Sequence, residues 1–313
     1  MKKLIKNINF EYLYLKYAKT FLAMFLLAIV MNGLLVFMNY EYVSSTYNDY
    51  IHMEEWYKES GGDIEGDLSS DYEFVNNEDG STTVENPIRY YYDQMSQALF
   101  VVSPEYAISH ILEFSILIFP LLFVILGSVL ATSDYKNKVY KHKILRFGRD
   151  NYFLSKFIIS CYLIFISVLF VVFVSKTASF VTYNYICSNL PVEQFEVGSV
   201  ELLSSDLIKL LLMMFISLTY LSIGFCIGTI LKSSIVTTCI MAVYLYIIPI
   251  FNKFEIKNCC YKLMKDKFNF LGLVNISSGK EIDSLLGIVF ILLLIVASNL
   301  FSYIIIKKRS AFA

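Results

Sequence analysis

Charge is scarce in this 313-residue chain. Only 17% of its residues are Asp, Glu, Lys or Arg, against about 25% in ordinary soluble domains, while 57% are hydrophobic and the mean hydropathy is +0.58. Such a balance argues against a soluble globular fold. The net charge is −1, so no overall field points to a nucleic-acid partner, and none is expected. Catalytic signatures are missing as well. The three histidines, His52, His110 and His142, lie on separate segments without a His-Glu-x-x-His pair, which excludes a zinc peptidase of that type. Leu126-Gly127-Ser128-Val129-Leu130 lacks the second glycine of a nucleophile elbow. Gly279-Lys280 runs into Glu281, with Val274 five residues ahead of Gly279, so no Walker A loop is present. The chain is therefore read as carrying no catalytic residue, metal site or cofactor of its own. If ATP is used, a separate polypeptide binds it.

The position of the apolar residues sets the fold class. Six windows of at least 19 residues contain no Asp, Glu, Lys or Arg: 20–40, 114–133, 157–175, 210–231, 233–252 and 284–306. A hydrocarbon core of about 30 Å needs roughly 20 apolar residues in a helix, and lipid permits only helices or closed barrels. The expectation is an all-α integral membrane protein of six transmembrane helices, both termini cytoplasmic, with a small extracellular insertion between the first two helices. Its parts are a cytoplasmic interfacial helix (1–19) and spans at 20–40, 109–133, 157–175, 207–231, 233–252 and 284–306. Between them lie an acidic extracellular segment (41–108), a cytoplasmic loop (134–156), an extracellular loop (176–206) and an extracellular or re-entrant segment (253–283), with a cytoplasmic tail at 307–313. The fourth and fifth windows touch at Lys232, so Lys232-Ser233-Ser234 has to be a very tight turn. Pro120 and Pro249 are expected to kink spans two and five, and Gly224-x-x-x-Gly228 to let span four approach a neighbour closely.

Orientation follows from the basic residues near the span ends. Lys2, Lys3, Lys6, Lys16 and Lys19 precede the first span. Lys136, Lys138, Lys141, Lys143, Arg146, Arg149 and Lys156 fill the loop after the second, and Lys307, Lys308 and Arg309 follow the last. With six spans all three groups share the cytoplasmic side. Residues 41–108 hold 15 acidic residues against Lys58 and Arg89, a local charge of −13. The exception is 253–283, whose Lys253, Lys257, Lys262, Lys265, Lys267 and Lys280 fall on the expected outer face. The long first span begins only at residue 20, unlike a cleaved secretory signal. Ahead of it, Leu4, Ile8, Tyr12 and Leu15 recur at helical spacing, as either a helix in the membrane interface or an extension of the first span.

Within the outer segment, 72–76 and 82–85 flank Asp79-Gly80, a pair suited to a hairpin turn. Residues 88–102, with Tyr90, Tyr91 and Tyr92, suit an amphipathic helix at the headgroup level. Asp63, Glu65, Asp67 and Asp71 offer hard oxygens for calcium, but their spacing lacks the complete EF-hand loop, and solvated acidic surface is the plainer reading. The cysteines form no metal signature. Cys161, Cys226 and Cys239 fall inside spans as packing residues, whereas a bridge from Cys187 to Cys259 or Cys260 is chemically permitted on the outer side.

The most specific stretch is 134–156, where acidic Asp134 follows span two, a basic helical run continues through Lys138, Lys141 and Arg146, and Arg149 and Lys156 lead into span three. This loop resembles the cytoplasmic coupling loop of type-2 ABC transporter permeases. So does the layout around it: an interfacial first helix, a large outer insertion, a tight turn between spans four and five and a basic C-terminal end. Departures are the missing glycine after the acidic residue, with Lys138 near its place, and Gly148 where a serine commonly precedes the arginine. The resemblance implies six spans and no ATPase activity in this chain. It implies as partners a cytoplasmic ABC ATPase subunit holding ATP and Mg, a second permease as homodimer or heterodimer, and the lipid bilayer. Asp134, Arg149 and Lys156 take the family's acidic, arginine and lysine positions, with Lys138, Lys141 and Arg146 beside them on the coupling element.

Polar groups within spans are candidates for a substrate path, since they usually face protein or water. They are Asn32, Glu113 with Ser115, Thr237, Thr238, Ser298 and Asn299, of which Glu113 with His110 is the sharpest pair; each is alternatively glue between helices. The acidic segment is expected to draw a cationic or amphipathic substrate such as an antimicrobial peptide or bacteriocin, or to dock an accessory protein. The competing classes are a polytopic anchor or sensor that binds a peptide or partner through that segment, and a membrane-embedded enzyme.

Overall fold

A computed structural model describes residues 2–77, 81–272, 274–276 and 279–308. Along the chain these form α1 (Lys2–Tyr17), α2 (Thr20–Ser60), α3 (Ile64–Leu68), β1 (Glu73–Asn76), β2 (Thr82–Glu85), α4 (Pro87–Val102), α5 (Ala107–Ser115) and α6 (Phe119–Lys136). They continue with α7 (Tyr140–Phe147), α8 (Arg149–Asn189), α9 (Asp206–Leu231), α10 (Ser234–Tyr246), α11 (Ile256–Lys265) and α12 (Ser284–Lys308). The protein is mostly helical, and five described helices, α2, α6, α8, α9 and α12, are long and apolar enough to cross a membrane.

The fifth expected span, 233–252, is helical for only 13 residues. At 1.5 Å per residue α10 is about 20 Å long, short of a hydrocarbon core of about 30 Å. Two local causes end it. Pro249 disfavours helical torsions at Ile248, and the Lys257 ammonium, arriving from α11, donates to the carbonyls of Tyr244 at 3.0 Å and of Ile248. Those carbonyls are among the acceptors that a helix C-terminus leaves open. Pro249 thus terminates a helix instead of kinking one. Pro120 likewise stands in the first turn of α6, where its missing N–H costs nothing, and the expected span 109–133 is divided into α5 and α6 at 116–118.

The two 41-residue helices, α2 and α8, are each about 60 Å long, twice the thickness of the hydrocarbon core. Beyond the apolar windows they continue through 41–60 and 176–189. There α2 buries Val43, Tyr50 and Tyr57 at heptad spacing against Ile88, Met95 and Val102 of α4, with Ile186, Val192 and Phe195 closing a separate core. The apolar face of α4 is therefore spent on protein packing and does not rest on headgroups. β1 and β2 pair antiparallel, with Glu73 opposite Glu85 and Phe74 opposite Val84; the expected turn at Asp79-Gly80 lies outside the described residues. Asp63 caps α3, its Oδ1 accepting from the Gly66 N–H at 3.1 Å.

α6 and α9 approach at glycines. A methyl group on Gly127 would strike the Leu221 carbonyl, one on Gly224 the Val124 backbone, and one on Gly228 would come to 3.0 Å from the Ser128 Cα. The junction of α9 and α10 is the tight turn expected, with Lys232 left-handed at φ 54° and the Ser233 hydroxyl capping the Val236 N–H. α1 is not an extension of the first span; the chain bends at Lys19, φ 57°, and α1 packs against α8. Its buried face carries Asn7, Glu11 and Leu15, while Tyr12 stays exposed. The described cysteines are all free thiols, Cys187 exposed on α8 and Cys259 and Cys260 buried in α11, so the suggested bridge is not formed.

Candidate functional site

The densest polar chemistry lies where α1, α6, α7 and α8 meet. Asp134 is in the last turn of α6. Lys138, left-handed at φ 58°, turns the chain sharply, and Gly148 at φ 82°, a torsion that favours glycine, turns it again after eight residues of α7. This short element between two corners is amphipathic. Tyr140, Ile144 and Phe147 face inward, Tyr140 stacking on Tyr135 at 4.3 Å and meeting Tyr152 edge-on at 5.6 Å.

Lys143 is on that inward face too, and closes a ring of charges. Its ammonium reaches Glu11 Oε1 and Asp134 Oδ1, both at 2.6 Å. Lys156 reaches the other oxygens of the same two carboxylates, Glu11 Oε2 and Asp134 Oδ2, both at 2.8 Å. The Tyr152 hydroxyl adds a bond to Asp134 Oδ2 at 2.8 Å. All four charged side chains are buried, the most exposed at 4%. Two anions and two cations alternate and every carboxylate oxygen is used, which is the condition under which buried charges are tolerated. The ring fastens α7 to three other helices; Asn7, donating to the Ser155 hydroxyl at 2.6 Å, extends the joint.

The opposite face of α7 is open. On it Lys141, His142 and Arg146 are exposed and Leu145 is 66% exposed, with Lys138 exposed in the turn just before the helix. Of the expected coupling residues, then, Asp134 and Lys156 are internal, and Lys138, Lys141 and Arg146 are on the surface. Arg149 donates to the Lys307 carbonyl at 2.6 Å, near the bond from the Tyr303 hydroxyl to Asp150 at 2.8 Å, so the end of α12 is held beside the start of α8. Glu11, Lys143, Tyr152 and Leu145 were not singled out from the sequence. Glu11 had a signal, as the sole acidic residue among the first forty. Lys143 had one in its phase, a lysine aligned with Tyr140, Ile144 and Phe147 on an apolar helix face.

The expected path residues do not converge. Asn32 joins α2 to α8 through the Val171 carbonyl at 3.4 Å, and Asn299 joins α12 to α9 through the Ser222 hydroxyl at 3.0 Å. Asn299 also borders an open, shallow surface groove with Phe153, Leu154 and Tyr303. Thr237 and Thr238 bond back to the Ser233 and Ser234 carbonyls, Ser115 to that of Ile111, and Ser298 lends its carbonyl to Ser302.

Glu113, at the start of the second expected span, is buried. Its Oε1 accepts from the Tyr106 hydroxyl at 2.5 Å and from the Phe270 N–H at 3.0 Å. Phe270 has φ 49°, a strained torsion for a bulky residue. His110 does not pair with Glu113; Gly272 packs over its Nε2, leaving no room for a side chain. Lys209, buried in the first turns of α9, donates to the Ser109 hydroxyl at 2.6 Å. Glu113 thus ties the 268–272 strand of chain to α5. Replacing it with alanine leaves a buried N–H and hydroxyl without their acceptor, at about 1–3 kcal/mol each. Hydrogen exchange at the Phe270 and Leu271 amides is expected to rise sharply while exchange in α6 and α9 stays unchanged; equal protection in both proteins would refute the tie.

Among the described residues no three His, Cys, Asp or Glu side chains are grouped to hold a metal ion. Comparison of the chain with models of protein families, with curated proteins and with solved structures finds no match.

Proposed function

We propose that this chain is the membrane-spanning subunit of an ATP-driven exporter, and that α7 is the element on which a separate cytoplasmic ATPase, carrying ATP and Mg, pushes. The supporting observation is the two-sidedness of α7: a buried ion ring fastens one face to α1, α6 and α8, while the other presents Leu145 among basic side chains. An element that transmits force needs both a rigid attachment and an accessible contact. The side assignment is supported by the convergence of the three basic regions. Asn7 meets Ser155, and Arg149 meets Lys307, so the first helix, the 134–156 loop and the end of α12 share one end of the bundle, cytoplasmic by its lysines and arginines. In this reading α10 with the bend at 247–255 makes the sixth crossing, α11 lies at its outer end, both termini are cytoplasmic, and the extensions of α2 and α8 with α3, α4 and the hairpin stand outside the cell. A second permease chain completes the assembly.

The lysine-rich 253–283 segment fits an outer position because part of its charge is used locally. Lys257 caps α10, Lys280 donates to the Phe251 carbonyl at 2.5 Å and Lys262 pairs with Asp266 at 2.7 Å.

The test is co-purification. The double substitution Leu145→Asp with Arg146→Glu is expected to reduce the ATPase recovered with the chain about tenfold or more, equivalent to about 1.4 kcal/mol, with unchanged amounts of chain in the membrane. Recovery equal to that of the unaltered chain would overturn the assignment.

A further inference from the structure

The outer hairpin has features that coupling to an ATPase does not use. Among the described residues β1 and β2 form a sheet of two strands only, so each presents an edge of N–H and C=O groups with no neighbouring strand. The register sets Glu73 directly across from Glu85, both exposed. Like charges in that relation destabilise a sheet that is already marginal with two strands. Alternation along the strands places Phe74 and Val84 on the opposite face. There Phe74, 58% exposed, lies edge-on to Tyr72 and to Tyr90, both at 5.7 Å between ring centres, with Tyr72 and Tyr90 5.3 Å apart. One face of the hairpin is therefore anionic and the other aromatic, in a segment of 15 acidic and 2 basic residues.

We propose that this hairpin docks an extended peptide of alternating basic and apolar residues, added as a further strand at an open edge. Its lysines or arginines stand on the Glu73–Glu85 face and its apolar side chains beside Phe74. Main-chain bonds supply attachment in this mode, and alternate side chains supply selection. Charge complementarity chooses the occupant. An anionic segment is repelled, and a second copy of the chain would bring the same two glutamates against these. A basic residue there relieves the Glu73–Glu85 repulsion that the free hairpin bears. The proposal rests on the transporter reading only for placing the hairpin outside the cell. Binding needs neither ATP nor an ATPase, so failure of one does not imply failure of the other.

The experiment uses the full chain purified in detergent and a short fluorescent peptide of alternating Lys and Val, followed by anisotropy. Two comparators carry the same side chains: a block peptide, all Lys then all Val, and the alternating peptide N-methylated at every residue, so that neither of its edges can donate to a neighbouring strand. The alternating peptide is expected to bind about tenfold or more tightly than either comparator. Glu73→Gln with Glu85→Gln, and separately Phe74→Ser, each weaken it about tenfold or more at unchanged helix content and elution volume. Equal binding of the N-methylated or block peptide would reduce the attraction to bulk charge and overturn strand addition. Binding unaffected by both sets of substitutions would place the peptide elsewhere and overturn the site.

Discussion

Replacing Lys156 with methionine is expected to destabilise the protein by about 3–5 kcal/mol, an effect visible as a large drop in the unfolding temperature of the detergent-purified chain. The ammonium removed is fully buried and bridges Glu11 and Asp134 at 2.8 Å each. Without it, two buried carboxylates face a single cation, Lys143, and one negative charge is uncompensated in a region closed to water. The loss reflects that stranded charge more than the worth of the pair, so a second substitution should recover part of it. Glu11→Gln with Lys156→Met leaves Asp134 and Lys143, one anion and one cation 2.6 Å apart. The double variant is expected to be more stable than Lys156→Met alone. Additive losses would show that the four side chains do not act as one ring.

The second large effect is expected at the glycine seam. Leucine at Gly224 has to enter space already held by the Val124 backbone, where no flexible side chain can yield. Overpacking in a dense interior costs about 1–3 kcal/mol when side chains adjust, and more when main chain must move, so Gly224→Leu is expected to exceed 3 kcal/mol. Leucine at Gly33 of α2, whose added Cβ meets nothing within 4 Å, is the matched control. Comparable melting of both variants would argue against close contact between α6 and α9.

Such contacts show why some features are legible in a sequence and others are not. The seam was readable because its cause is local: only glycine lets two backbones approach, and Gly224-x-x-x-Gly228 repeats on one helix face. The Lys232-Ser233-Ser234 turn was readable because two charge-free windows left it no other length. The prolines misled. Their identity foretold an interruption, but whether Pro249 kinks or ends a helix was settled by Lys257, eight residues on, which bonds the released carbonyls. The amphipathic pattern of α4 was real, yet periodicity names a buried face without saying what buries it. Headgroups and the extension of α2 satisfy the same pattern, and contact with Val43, Tyr50 and Tyr57 decided between them.

The basic loop divides in the same way. Composition marked 134–156 as the chain's most distinctive polar stretch, but could not separate lysines that face solvent from lysines that close the ring. Lys138, Lys141 and Lys143 are chemically identical and differ by helical phase and by the arrival of Glu11 from more than a hundred residues away. By itself, then, the sequence determined that the chain is mostly helical with runs long and apolar enough to cross a membrane, because an uncharged run of that length satisfies its backbone in hydrocarbon as a helix. Tertiary structure alone decided which charges are buried and paired, where α10 stops and which face of α7 is exposed. Those outcomes depend on groups distant in the chain meeting within a few ångströms, and no local pattern carries that information.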